Sequence, residues 1–240
     1  MAVALITGAA GGIGRAICQE FARRGCDVVG VDKAHPVQSD MSTDGIWNVP
    51  GDVTQESGML QALEVAQNLG ELKYLVCNAG LVEPNGPITA VSRDDYERVM
   101  SVNVWGVIQS IQVVLPTLLT GSDTSIVLVS SSLASVGRAG FALYSASKGA
   151  LNALTRQLAV EYATANIRVN AVAPSGVLTE QQESRIRAMP PSSVRAELSR
   201  IPLGRLGRPE EVAQSVVWLC TTATFVTGTV LPLDGGVQAV

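Results

Sequence analysis

The sequence predicts an α/β protein built on one doubly wound parallel sheet with helices on both faces, running through all 240 residues. Three observations predict it. Apolar strand-like runs alternate with helical patterns from Val3 to Leu233, with no linker, charge block or repeat between them. The first strand runs directly into a glycine-rich turn and then a helix. The second strand ends on an acid, Asp32, about 20 residues further on, where a carboxylate can accept hydrogen bonds from both ribose hydroxyls of an adenosine.

Taken in order, residues 3–7 form a short apolar strand, Gly8, Ala9, Ala10, Gly11, Gly12, Ile13 and Gly14 form the turn, and residues 15–24 carry helical period through Ala16, Ile17, Phe21 and Ala22. Small residues let backbone approach a pyrophosphate, and the helix start offers unpaired N–H groups and a positive dipole end. Residues 28–32 form the second strand. The segment 33–48, with Pro36, Ser39, Asp40, Ser42, Asp44 and Gly45, lacks helical period, so a helix between strands two and three is expected to be lost or reduced. Residues 92–120 open on Ser92 as an N-cap and are apolar on several faces through Val102, Val104, Trp105, Val107, Ile108, Ile111 and Val114. Such a helix must be covered on more than one side. The β-branched run 126–129 delivers Ser130, Ser131 and Ser132 to the carboxyl end of a buried strand, where open α/β sheets bind ligands.

The strongest chemical signal follows it. Tyr144 and Lys148 stand four residues apart, which stacks a phenol and an ammonium on one helix face. A cation held close is expected to lower the phenol from its usual value near ~10, so that Tyr144 exchanges protons nearer neutrality. Leu151, Leu154, Leu158 and Tyr162 continue this helix with an apolar stripe.

Composition excludes several classes. At 47% hydrophobic and 16% charged, the chain suits parallel strands buried on both faces. A net charge of -4 offers no basic stripe for nucleic acid or an anionic membrane. The opening stretch has no charged n-region, and no later segment reaches ~18 unbroken apolar residues, so the chain reads as soluble and cytoplasmic. Cys18, Cys26, Cys77 and Cys220 lie scattered without C-x-x-C spacing, suggesting neither a disulfide framework nor zinc. His35 is the only histidine, which leaves no histidine triad and no metal cluster.

These residues together resemble the short-chain dehydrogenase/reductase family, of Rossmann fold, over essentially the whole chain. The spacing Thr7-Gly8-x-x-x-Gly12-x-Gly14 is that family's variant of the glycine turn, and Ser131, Tyr144 and Lys148 fall at its serine, tyrosine and lysine positions, the first two thirteen positions apart. Asp52 and Val53 match its adenine-contacting pair, Asn78-Ala79-Gly80 the segment after its fourth strand, and Asn103 the asparagine of its long helix. Residues 170–174 and Thr179 resemble the stretch that holds the nicotinamide carboxamide, and residues 207–213, 225–228 and 234–236 complete the pattern. The resemblance implies NAD as cofactor, held by Gly8, Gly11, Gly12, Ile13, Gly14, Asp32, Asp52, Val53, Asn78, Ala79, Gly80, Tyr144, Lys148, Pro174, Gly176, Val177 and Thr179. It implies a homotetramer through helices 92–120 and 142–164. Two positions depart from it. Cys77 replaces an asparagine and is expected to pack at a strand end, and Ser175 replaces a glycine after Pro174, adding a hydroxyl beside the expected nicotinamide.

The implied chemistry is hydride transfer between a nicotinamide and a secondary alcohol or ketone, with Tyr144 exchanging the proton at the substrate oxygen. Ser131 bonds the same oxygen, Lys148 biases Tyr144 and holds the nicotinamide ribose, and Asn103 anchors a water linking Lys148 to solvent. Two alternatives are an NADP(H)-dependent reductase of the same fold and a non-catalytic dinucleotide-binding scaffold. Asp32, with Gly11 in place of an arginine in the turn, speaks against the first, and the intact catalytic set against the second. Lys33, next to Asp32, is expected to point away from it. Substrate contacts are expected from Ser131, Leu133, Phe141, Tyr144, Ser175 and Leu178. Apolar walls with few polar points fit a small or medium hydrophobic alcohol or ketone. Residues 179–200, polar and with little apolar period, are expected to form a substrate lid, and Arg138 is expected to be a solvated loop arginine, with contact to an anionic substrate as the alternative.

Overall fold

The computed structural model describes residues 1–35, 45–83 and 86–240. Seven strands form one sheet in the order β3-β2-β1-β4-β5-β6-β7, every pairing parallel. The chain passes through β1 (Ala2–Thr7), α1 (Gly12–Arg23), β2 (Asp27–Asp32), β3 (Ile46–Pro50), α2 (Glu56–Leu69) and β4 (Glu71–Cys77). It continues through α3 (Arg93–Met100), a π-helical stretch (Ser101–Trp105), α4 (Gly106–Leu118), β5 (Ser125–Val129) and α5 (Ala142–Glu161). The last part comprises β6 (Arg168–Pro174), α6 (Glu180–Arg187), α7 (Pro191–Leu198), α8 (Pro209–Thr221) and β7 (Val230–Leu233).

Strand period places the core. In β1, Val3 and Leu5 face one apolar layer with Met59 of α2, Ile111 of α4 and Leu151 of α5, while Ala4 and Ile6 face the other with Ile17 and Phe21 of α1 and Val216 of α8. Each such large side chain contributes roughly 1.5–3 kcal/mol when fully buried. Since both faces are covered, β5 reads Ser-Ile-Val-Leu-Val without alternation and is buried throughout. The sheet's order reverses between β1 and β4, so the crevice at their carboxyl ends is the topological switch point.

The helical run 93–118 starts as expected on Ser92, whose Oγ accepts from Asp95 N–H while Asp95 accepts from Ser92 N–H, a capping box. By length and composition alone this run could span a membrane. Its inner face, including Val99, Val107, Ile111, Val114 and Leu118, is buried, which makes it a core helix. Most of the segment expected to lack a helix, 36–44, lies outside the described residues; its final part, 46–48, is strand.

Residues 179–200, polar and with little apolar period, form two short helices, α6 and α7. End chemistry explains them. The Thr179 side chain accepts from Gln182 N–H, Glu180 and Glu183 complement the start of α6 and Arg185 and Arg187 its end, and Pro191 opens α7. Arg168 supplies a contact the sequence did not announce. From the start of β6 its guanidinium donates to the carbonyls of Leu219, Cys220 and Ala223 at 2.6, 2.6 and 3.1 Å, satisfying the end of α8.

Candidate active site

The glycine turn is built by close approach. Gly8 has φ +68°, and a Cβ on Gly14 would stand 2.0 Å from the Gly8 carbonyl oxygen, so neither position accepts a side chain. Asn78 braces the turn from β4: its Nδ2 donates to the carbonyls of Thr7 and Gly8, both at 3.0 Å, while the N–H groups of Asn78 and Ala79 donate to Thr7 Oγ1. Helix α1 therefore starts with Gly11 as N-cap, no side-chain cap and no acid in its first turn. Its first N–H groups remain open to an anion, and a Cβ at Gly11 would meet only the Gly8 oxygen, at 3.5 Å. This cradle fits a dinucleotide pyrophosphate. Thr179 closes one side, since a Cβ on Gly12 would come within 2.9 Å of its methyl.

At the end of β2, Asp32 accepts from Ala10 N–H at 3.1 Å and from Ala34 N–H at 2.9 Å. Both bonds orient the carboxylate beside the turn and leave further lone pairs for ribose hydroxyls. Lys33, expected to point away from Asp32, reaches one strand over and pairs with Asp52 at 2.9 Å. Asp52 also accepts from Thr54 N–H and Oγ1, and although burial pushes its carboxyl up, these bonds and Lys33 hold it below the usual range. Val53 is buried against Gly106 at the start of α4.

Ser131, Tyr144 and Lys148 are brought together and all buried. Ser131 follows β5, Tyr144 and Lys148 share one face of α5, and the Lys148 ammonium lies 5.8 Å from the Tyr144 ring centroid. Lys148 Nζ donates to the Val129 carbonyl at 2.7 Å. Burial pulls its pKa down to about 8 against a small opposing effect of Cys77. Tyr144 corrects the expectation made from spacing. Its phenol is raised rather than lowered, because burial outweighs the hydrogen bond with Ser131, and the ammonium is engaged by a backbone carbonyl.

Asn103 sits in the π-helical stretch, whose wider turn sets it wholly inside. Its Oδ1 accepts from Leu81 N–H at 2.7 Å, and its Nδ2 donates to the Leu81 carbonyl and to Ser147 Oγ, which in turn donates to the Tyr144 carbonyl. A Cβ on Gly80 would stand 3.3 Å from Lys148 Nζ and 3.4 Å from Asn103 Oδ1, so Gly80 keeps open the space that both face. Cys77 is fully buried at the end of β4, its thiol pushed up to about 12, as a packing residue.

This arrangement of glycine turn, strand-end acid and buried Ser-Tyr-Lys set coincides with a family match over residues 8–238, to the family described as enoyl-(acyl carrier protein) reductase. The chain belongs to the short-chain dehydrogenase/reductase family. Among this family's members it is 38% identical to cis-4-hydroxycyclohexanecarboxylate dehydrogenase of Sinomonas cyclohexanicum, over 99% of this chain and 97% of that one. It is 31% identical to 3-ketoacyl-(acyl-carrier-protein) reductase of Brucella melitensis, solved with NADH, with a TM-score of 0.88 and 98% of each chain covered. ElxO, solved with NADP, matches at a TM-score of 0.92 and 28% identity, over 99% of each chain. The short-chain dehydrogenases are oxidoreductases, and structures with either nicotinamide coenzyme stand close to this one.

The expected substrate residues divide into two places. Phe141 packs edge-on to Tyr144, with ring centroids 6.4 Å apart, and Leu133 N–H donates to Ser131 Oγ. Leu178 instead lines a largely apolar cavity of about 490 Å³ with Ile186 of α6, Val194 and Leu198 of α7, and Leu206. Ser175 N–H donates to the Leu233 carbonyl, which ties it to β7. Gly176 and Val177 pair with Gly207, positioning the chain that leads into Thr179. Arg138, expected to be a solvated loop arginine, is only part-exposed: its guanidinium stacks 5.2 Å over the Phe141 ring and pairs with Glu197 of α7 at 3.1 Å.

Proposed function

We propose that this protein is a cytoplasmic, NAD(H)-dependent alcohol dehydrogenase or ketone reductase acting on secondary alcohols and ketones, with Tyr144 as general acid and base. The observation that carries this reading is the burial of Ser131, Tyr144 and Lys148 as one cluster beside the open anion seat of α1. When bound, the nicotinamide supplies the hydride or takes it up. In reduction, the Tyr144 hydroxyl donates its proton to the substrate oxygen as negative charge grows there, and the Ser131 hydroxyl donates a hydrogen bond to the same atom. Oxidation runs the same contacts in reverse. Lys148 has two N–H donors beyond the one given to Val129, enough to hold ribose hydroxyls. The gap over Gly80, faced by Lys148 and Asn103, suits a water that relays protons outward.

NAD(H) is favoured over NADP(H) because Asp32 places an anion where a 2′-phosphate would lie and the adjacent cation, Lys33, is engaged with Asp52. A tetramer through the helical run 93–118 and α5 is supported by Trp105, Leu119 and Val160, large apolar side chains left exposed on those helices. All four cysteines are free, in keeping with a reducing compartment. Helices α6 and α7 act as the substrate lid. The test is Tyr144→Phe, which should lower turnover of a secondary alcohol by at least about 10²-fold while NADH still binds, read by nicotinamide fluorescence. Turnover within about tenfold of wild type would overturn the assignment.

A further inference from the structure

Two arginines from different elements converge on one carboxylate, two ring contacts away from Tyr144. Arg138, in the loop before α5, donates to Glu197 Oε2, and Arg185 of α6 pairs with the other oxygen, Oε1. Glu197 belongs to α7 and its side chain is 16% exposed, whereas Arg138 and Arg185 are 32% and 42% exposed, so the carboxylate is sheltered and the guanidiniums reach solvent between α6, α7 and the body. Among the described residues neither arginine pairs with a second acid: Glu183 pairs with Arg187 and Glu180 with Arg15. Two guanidiniums therefore share one carboxylate, which leaves the trio one positive charge in excess at a partly solvated position. The position is tied to the chemistry. Arg138 stacks on Phe141, and the Phe141 ring meets the Tyr144 ring edge-on.

From this we infer that Arg138, assisted by Arg185, selects substrates that carry a carboxylate on the Phe141 side of the reacting carbon, and that Glu197 is the lid's own stand-in for that carboxylate. The inference rests on the hydride-transfer reading and deepens it, by naming the substrate class. A guanidinium presents a planar fork of donors matched to a carboxylate, and the stacked ring limits its rotation, so the anion is both held and oriented. A neutral alcohol of the same shape leaves the surplus charge unpaired. It also gains nothing from displacing Glu197. The two functions of the trio have opposite signatures: if it is only a clasp holding the lid, removing either partner loosens the same structure, whereas if Glu197 competes with the substrate, removing it helps.

Isothermal titration of NADH-saturated enzyme with cyclohexanecarboxylate and with the neutral isostere cyclohexanecarboxamide reads this without turnover. The carboxylate should bind at least about tenfold tighter than the amide, a difference of ~1.4 kcal/mol. Arg138→Gln should erase that difference, and Glu197→Gln should tighten the carboxylate several-fold while leaving the amide unchanged. Equal binding of the two probes by the wild type, or weaker carboxylate binding in both variants alike, would overturn the inference. Tyr144→Phe separates it from the reading beneath it. A carboxylate preference retained there while turnover is lost supports both. Turnover of neutral secondary alcohols with no carboxylate preference refutes the anchor alone, and a carboxylate preference in a Tyr144→Phe enzyme that still turns over refutes Tyr144 as the acid while leaving the anchor standing.

Discussion

Replacing Lys148 by Met should make the cofactor-free protein more stable at neutral pH while abolishing turnover. Lys148 is wholly buried, and burial takes its pKa from 10.5 to about 8. Holding the ammonium inside the fold at pH 7 therefore costs about 3 kcal/mol at ~1.36 kcal/mol per unit. Met is close in length and carries no charge. The substitution gives up the bond to the Val129 carbonyl, worth roughly 1 kcal/mol, so a net gain of about 2 kcal/mol remains. For a chain of this size that corresponds to a melting temperature higher by roughly 4–8 °C. The pH dependence carries a definite sign. Between about 8 and 10.5 the unfolded chain binds the Lys148 proton and the folded chain does not, so wild-type stability rises with pH relative to the variant. Thermal melts of both proteins, at one concentration and without cofactor, should show the gap at pH 7 closing toward pH 10. A variant less stable than wild type at pH 7, or a gap independent of pH, would refute the reasoning that this site maintains a buried charge at the expense of stability.

Two further outcomes test the frame of the site. Wild type should prefer NAD(H) by ~3 kcal/mol, over ~100-fold in kcat/KM, and Asp32→Ala should bring the ratio toward unity by removing both the ribose contact and the anionic repulsion. Kinetics with each coenzyme check this, and wild-type use of NADPH equal to NADH would sink it. Arg168→Met should lower stability by about 3 kcal/mol or more in denaturant unfolding, since it leaves several carbonyls at the end of α8 without their donor. A loss below about 0.5 kcal/mol, ordinary for a surface site, would show that water replaces the guanidinium at little cost.

What the sequence made legible was local. The four-residue spacing of Tyr144 and Lys148, the small residues from Gly8 to Gly14 and the hydroxyls after β5 each act within a turn or two of chain, where geometry follows from helix and strand period. Long-range partners carry no such signal. Arg138 meets Glu197 across 59 positions and Arg168 meets the end of α8 across more than 50, and neither acid nor carbonyl is marked in the sequence as a partner. Helices α6 and α7 are a different case. Thr179, Glu180, Pro191 and the arginines near the end of α6 are readable end signals, whereas these short exposed helices bury too little to show an apolar period.

At Tyr144 the spacing to Lys148 is as expected, but the shift of the phenol has the opposite sign. Proximity to a cation lowers a phenol only if the cation's field reaches the oxygen and if desolvation does not exceed it. In this site both conditions fail, since Lys148 spends a proton on Val129 and shares the same dry layer between β5 and α5. Burial drives the phenol up and the ammonium down to about 8, so at pH 7 the phenol is neutral while the ammonium keeps its charge. A neutral phenol is the proton donor that carbonyl reduction needs, whereas alcohol oxidation needs it ionised. Under the proposed function, the protein's own residues thus poise Tyr144 as an acid first. Charge brought in by the bound partners, rather than the Tyr144 and Lys148 spacing alone, must supply what the reverse direction requires.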